Sequence, residues 1–301
     1  MSKMFQGVFT ALITPFTATG ALDVGAFKRL IEYQIESGIS GLVPCGTTGE
    51  SPTLTHAEHD RVIELAVQFA DGRVPVIAGT GSNSTAEAIQ LSQHAEQSGA
   101  DAVLLVNPYY NKPTQRGLYE HFTAIAHSVS IPCIVYNIQG RTGVNIETDT
   151  LVRLMNECSN IAAVKEASGN LDQMKSVIAQ RHDKFLVLSG DDIMTVDLIE
   201  QGGNGVISVA ANLIPAQMME MVTTALKGDI KKARSFEEKL MPLFKACFLE
   251  TNPIPIKTAM SMYGWCEEVF RLPMCSFENE FHYAVLRTAL ESLDIPTAEG
   301  K

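Results

Sequence analysis

The chain has 301 residues, 46% of them apolar, 19% charged and 7% aromatic, which excludes collagen-like, low-complexity and disordered classes. That length can bury a large core in one or two domains. A net charge of −11, from 34 acidic against 23 basic residues, repels phosphate backbones and anionic lipid, so neither nucleic acid nor a membrane is an expected partner.

Short apolar runs alternate with longer amphipathic stretches from end to end. A strand over 8–14 is followed by a helix over 24–36, then strand 41–45 and helix 56–69, strand 74–78 and helix 85–97, and strand 102–106 and helix 116–128. The second half repeats the unit with strand 131–137 and helix 148–158, strand 161–165 and helix 171–179, strand 185–189 and helix 194–201, and strand 205–209 and helix 215–227. Each strand run is nearly all apolar instead of alternating, as expected where both faces of a parallel sheet are covered. The Ser-Asn-Ser-Thr-Ala-Glu run at 82–87 has the form of a helix cap with an acidic first turn.

Eight such units describe an α/β protein, a (β/α)8 TIM barrel over 1–229, with 230–301 as C-terminal helices packed on it in a single functional unit. The alternative is an open doubly wound sheet, which would carry a Gly-x-Gly-x-x-Gly turn after its first strand; Pro15-Phe16 stands there instead. The six cysteines contain no Cys-x-x-Cys pair and are expected as buried thiols, with no metal site and no disulfide framework. The first residues lack the apolar run of a signal peptide, and no window reaches the ~18 uninterrupted apolar residues of a membrane span. A soluble, cytoplasmic protein is the expectation.

In a barrel the chemistry stands where strands end. Lys165 closes the run Ile161-Ala162-Ala163-Val164-Lys165. Burial there disfavours the ammonium form and makes the amine a nucleophile suited to a Schiff base. The competing explanation is a structural ion pair, but Glu166 points to the opposite face of the strand. Tyr136, near the end of the fifth strand, could pass a proton to a carbonyl oxygen or could simply fill the barrel top. Gly46-Thr47-Thr48-Gly49-Glu50 follows the second strand with hydroxyls and close-approaching amides suited to a carboxylate, although alone it is an ordinary capped turn. A phosphorylated substrate is disfavoured, since Asp191 and Asp192 follow strand seven with no arginine or lysine nearby in sequence. His56 and His59 share a helix face with no evident acidic partner, a solvated face or an effector contact.

These motifs stand in a familiar order: Gly-Thr-Thr-Gly-Glu at 46–50, Pro-Tyr-Tyr-Asn at 108–111, Tyr-Asn at 136–137, Arg-Thr-Gly at 141–143, Lys-Glu-Ala-Ser-Gly-Asn at 165–170, Ser-Gly-Asp-Asp at 189–192 and Gly-Val-Ile-Ser at 205–208. The chain resembles the dihydrodipicolinate synthase family over essentially its full length. That family lies within the pyruvate-dependent class I aldolases that include N-acetylneuraminate lyase. The resemblance implies condensation of pyruvate with L-aspartate 4-semialdehyde to 4-hydroxy-tetrahydrodipicolinate, the first committed step of diaminopimelate and lysine biosynthesis, without metal or dissociable cofactor. It implies Lys165 as the Schiff-base lysine, Tyr136 as proton shuttle, Thr48 as relay, and Tyr110 completing the relay across a tight dimer interface. Thr47 would hold the pyruvate carboxylate, Ile207 would pack at the pyruvate end with Gly190 nearby, and Arg141 would hold the semialdehyde carboxylate. Sialate lyases generally lack that arginine.

The resemblance also implies a homotetramer built as a dimer of dimers, and an L-lysine inhibitor site at Ser51, Pro52, His56, His59, Asn83, Glu87 and Tyr109. Two departures are visible. Ile138-Gln139-Gly140 replaces the family's Val-Pro-Ser/Gly before Arg141, which is expected to loosen that loop. Pro52 stands where lysine-sensitive members often carry alanine.

Overall fold

A computed structural model describes residues 5–291 and 293–298. These residues form eight parallel strands: β1 Gly7–Ala11, β2 Gly41–Val43, β3 Ile77–Gly79, β4 Ala102–Val106, β5 Cys133–Asn137, β6 Ile161–Glu166, β7 Leu186–Ser189 and β8 Gly205–Ser208. They pair in the order β2-β1-β8-β7-β6-β5-β4-β3. The Leu42–Val76 bridge and a bond from Gly79 N to the Pro44 carbonyl (2.9 Å) join the two ends. The result is the (β/α)8 barrel anticipated from the strand pattern, with a helix behind each strand.

Two strands are shorter than their apolar runs for a chemical reason. Pro75 and Pro132 have no N–H to give to a ladder, so β3 and β5 begin after them. The first strand ends at Ala11, where the chain leaves the sheet and Ile13 N is taken by Asn212 Oδ1 (3.0 Å).

Alternation then divides the apolar residues into two layers. Phe9, Val43, Ile77, Leu104, Ile134, Ala163, Leu186, Leu188 and Ile207 fill the barrel interior, with Phe5 packed against them. Val8, Leu42, Ala78, Val103, Val135, Val164, Val187 and Val206 face outward against the helices. Phe9 has room because Gly41 stands beneath it; a Cβ at Gly41 would lie 2.6 Å from the ring. Continuing the same alternation past Ile134 and Ala163 brings Tyr136 and Lys165 to the interior at the carboxyl ends of adjacent strands, where their Cα atoms pair in register. Ring closure therefore places these two side chains at one mouth.

The C-terminal segment contributes helices Ile230–Ala246, Ile254–Met262 and Glu280–Glu291. Arg234 ties the first of them to Asp197 (2.6 Å) and Glu200 (2.9 Å) on the helix behind β7. Trp265 stacks on Tyr33 of helix Val24–Glu36, ring centroids 4.3 Å apart. Among the described residues no helix is long and apolar enough to cross a membrane. Five cysteines are buried and Cys275 is exposed, all six as free thiols.

Candidate active site

Lys165 is 6% exposed, its Nζ 4.1 Å from the centroid of the Tyr136 ring. Burial brings its pKa down to about 7; Asp192 opposes the shift and Arg141 reinforces it. A substantial fraction of a neutral amine at physiological pH makes this residue a nucleophile. Tyr136 moves the other way. Its phenol is pushed up to about 12 by burial, with the Arg141 charge and the Thr47 side chain pulling it back. It is therefore a protonated hydroxyl at neutral pH, able to give a proton to a developing alkoxide.

Glu166 is not a partner of Lys165. It faces outward, fully buried, accepting from Asn137 Nδ2 (3.0 Å) and from Ser168 N (3.0 Å). Asn137 in turn accepts from Asn107 Nδ2 (2.9 Å) and Ile146 N (3.2 Å). This network joins the ends of β4, β5 and β6 behind the site, and among the described residues Lys165 has no ion pair. Asp192 is also buried, its carboxyl taking the amides of Val209 (3.1 Å) and Ala210 (2.9 Å) and pushed up to about 6 by burial.

The Gly46–Glu50 loop places its two threonines differently. Thr47 lies against Tyr136 and lines the cavity above it. Thr48 is 2% exposed, and its Oγ1 accepts from Asn252 Nδ2 (3.0 Å). The geometry thus sets Thr47, not Thr48, beside the phenol. Which of two successive residues faces a cavity depends on the turn, and their spacing does not reveal it. Arg141 stands on the helical turn Gln139–Thr142, lines the same cavity and donates from Nη2 to the Asn252 carbonyl (3.1 Å). The segment expected to be loose without its proline is this turn, closed by Gly143 at φ +73°.

Gly190 packs directly on Lys165: a Cβ there would lie 2.9 Å from Lys165 Cε. Ile207, 1% exposed, belongs to the barrel interior. Tyr110 stands apart from all of these. It is 88% exposed, with a left-handed backbone at φ +71°, which a residue carrying a Cβ seldom adopts.

One cavity of about 390 Å³ runs from Thr47, Tyr136 and Arg141 to Ser51, Pro52, His56, His59, Glu87 and Tyr109. His56 does have an acidic partner, which sequence proximity could not show: its Nε2 donates to Glu87 Oε1 (2.8 Å). Ser82 also donates to Glu87, and this bond is the largest influence holding that carboxyl below its usual range. His59 is buried, not solvated, donating from Nε2 to the Gly79 carbonyl (2.8 Å), and burial lowers its pKa. Asn83 does not line the cavity; its carbonyl accepts from Asn111 Nδ2 (2.8 Å).

Sequence reasoning missed Asn252 and the buried pair formed by Lys257 Nζ and Glu50 Oε1 (2.6 Å). In the sequence Glu50 is only the last residue of the Gly46–Glu50 loop. No metal-binding group of three or more His, Cys, Asp or Glu occurs among the described residues.

The sequence model of the Dihydrodipicolinate synthetase family matches residues 4–292. A 4-hydroxy-tetrahydrodipicolinate synthase from Endomicrobium trichonymphae is 54% identical over 276 residues, 92% of this chain and 94% of that one. Among solved structures, the chloride-inhibited dihydrodipicolinate synthase from Acinetobacter baumannii complexed with pyruvate aligns with a TM-score of 0.93 at 43% identity, covering 95% of this chain and 98% of that one. The enzyme from Cyanidioschyzon merolae with lysine bound aligns at 0.94 and 39% identity, covering 99% of each.

Proposed function

On the premise that the chain belongs to the dihydrodipicolinate synthetase family and is a lyase of that family, we propose that it condenses pyruvate with L-aspartate 4-semialdehyde through an imine on Lys165. The observation that carries this reading is the burial of Lys165 at the barrel mouth, with its pKa brought down to about 7 and no ion pair among the described residues to neutralise it.

The neutral Lys165 amine attacks the ketone carbon of pyruvate, and the carbinolamine loses water to give the imine. Loss of a methyl proton gives the enamine, whose carbon adds to the aldehyde of the semialdehyde. The semialdehyde's own amine then displaces Lys165 from the imine carbon, closing the ring of 4-hydroxy-tetrahydrodipicolinate and freeing the lysine. Water is the only by-product, so neither oxidant nor reductant is needed. Tyr136 supplies and recovers protons at the oxygen that changes charge, with Thr47 as the relay next to it. Thr48 and nearby amides hold the pyruvate carboxylate, Ile207 packs at that end, and Arg141 holds the carboxylate of the semialdehyde. Both substrates present a carboxylate to a chain of net charge −11, so its attraction is local to these groups.

Tyr110, exposed and held outward, completes the relay in a second copy of this chain across a tight dimer interface. Two such dimers form the tetramer. The part of the cavity around His56 and Glu87 takes L-lysine as a feedback inhibitor, its ammonium groups facing Glu87 and the carbonyls nearby. The reaction so read belongs at the entry to diaminopimelate and lysine biosynthesis.

Borohydride reduction with pyruvate tests the central step. A mass increase on Lys165 is expected, and its absence overturns the Schiff-base reading. Turnover of aspartate semialdehyde but not N-acetylneuraminate is expected; the reverse would make the chain a sialate lyase.

A further inference from the structure

We infer that Asn252, in the segment joining helices Ile230–Ala246 and Ile254–Met262, is a positioning residue that fixes the Thr48 hydroxyl as a donor into the pyruvate site, an inference that rests on the aldol reading above. Asn252 is 5% exposed, and its Nδ2 stands 3.0 Å from Thr48 Oγ1. An amide N–H only donates, so Thr48 accepts there and its own hydrogen is turned elsewhere. A hydroxyl held in this way presents a donor, which is what a carboxylate requires. Left free to rotate, it would satisfy that requirement only part of the time.

The same residue reaches the other substrate's site. Its main-chain carbonyl accepts from Arg141 Nη2 (3.1 Å), so one residue touches groups carried by the loops after β2 and β5. Five residues further on, Lys257 grips the end of the Gly46–Glu50 loop through Glu50, both side chains fully buried. Glu50 Oε2 also accepts from Arg271 N (3.1 Å). The C-terminal segment therefore holds the loop at its middle and at its end. Within the loop Glu50 N donates to the Thr47 carbonyl (3.1 Å), a main-chain bond, whereas the Thr48 and Glu50 side chains are held by the C-terminal segment.

The two contacts of Asn252 differ in kind, and this provides the test. The side-chain bond to Thr48 is lost on substitution, whereas the main-chain bond to Arg141 persists. Asn252→Ala should raise the pyruvate concentration that half-saturates borohydride trapping at Lys165 by roughly 10-fold, the usual scale for a buried hydrogen bond. Asn252→Asp keeps the volume but turns the bond around, since a carboxylate accepts from Thr48 and draws its hydrogen away; the rise should be larger, up to about 100-fold. In both variants KM for the semialdehyde should change less than twofold. On a Thr48→Val background the effect of Asn252→Ala should vanish.

Equal losses for both substrates, or wild-type half-saturation in both variants, would overturn the inference. The isosteric aspartate provides the measurement if the alanine chain does not fold. Wild-type protein run alongside separates the two levels: with no adduct at Lys165 the aldol reading falls and takes this inference with it, whereas a wild-type adduct with unchanged variants removes Asn252 alone.

Discussion

Replacing Gly190 by alanine tests whether Lys165 is placed by packing. A Cβ on Gly190 would lie 2.7 Å from Ala167 Cβ, 2.9 Å from Lys165 Cε and 3.1 Å from Lys165 Cγ. An ordinary contact begins near 3.4 Å, so the lysine chain and the β6 end must together give way by 0.5 to 0.7 Å. Gly190 cannot retreat freely, since its N–H is bound to the Glu166 carbonyl (2.8 Å). Overpacking of this kind costs about 1–3 kcal/mol. A displacement approaching 1 Å at the attacking atom costs up to ~100-fold in rate. The expected result for Gly190→Ala is borohydride trapping of pyruvate slowed by roughly 10- to 100-fold, with a melting temperature lower by a few degrees. Gly25→Ala serves as control, because its Cβ would meet nothing closer than 3.5 Å on helix Val24–Glu36. Gly190→Ala trapping at the wild-type rate would refute the idea that Lys165 is held by contact with this backbone.

Lys165 also predicts a pH profile. With its pKa near 7, kcat/KM for pyruvate should fall about tenfold per unit below pH 7 and level off above pH 8, and an inflection near pH 10 would contradict the assignment. The same shift acts on stability: between pH 7 and 10.5 the unfolded chain holds a proton here that the folded chain has lost, so this group makes stability rise with pH across that window, and Lys165→Met should flatten that part of the curve in denaturant titrations. Lys257→Met leaves Glu50 buried without its partner and should cost about 3–5 kcal/mol in urea unfolding. The double replacement Glu50→Leu with Lys257→Met should recover most of that loss, and a single variant as stable as wild type would show the pair to be dispensable. Glu87→Ala should abolish inhibition by millimolar L-lysine while leaving pyruvate trapping at Lys165 unchanged; full wild-type activity at that concentration would remove the inhibitor site altogether.

The barrel was legible because a parallel strand covered on both faces must be apolar at every position, and eight such runs punctuate the chain. Lys165 and Tyr136 were legible for the complementary reason. Each is a polar residue at the end of an apolar run, two places beyond an interior position, so period-two alternation alone sends it inward. The loop threonines mark the limit of such reasoning. Both carry hydroxyls at the right place in the chain, but only the course of the turn puts Thr47 beside Tyr136 and Thr48 against Asn252.

Composition, apolar runs and motif order thus determined the eight repeats and the polar residues, Lys165 and Tyr136, that stand at the strand ends. These depend on local spacing, and local spacing is written directly in the chain. Tertiary structure alone decided that Asn252 meets Thr48 across 204 positions and that Lys257 meets Glu50 across 207. It also decided that Glu87 stands beneath His56, 31 positions away. No periodicity connects such residues; barrel closure and the packing of the C-terminal helices bring them together. The charge of −11 illustrates the same division. It weighed against polyanionic partners at once, while the cavity in which Arg141 and the loop hydroxyls could hold small anions exists only in the folded chain.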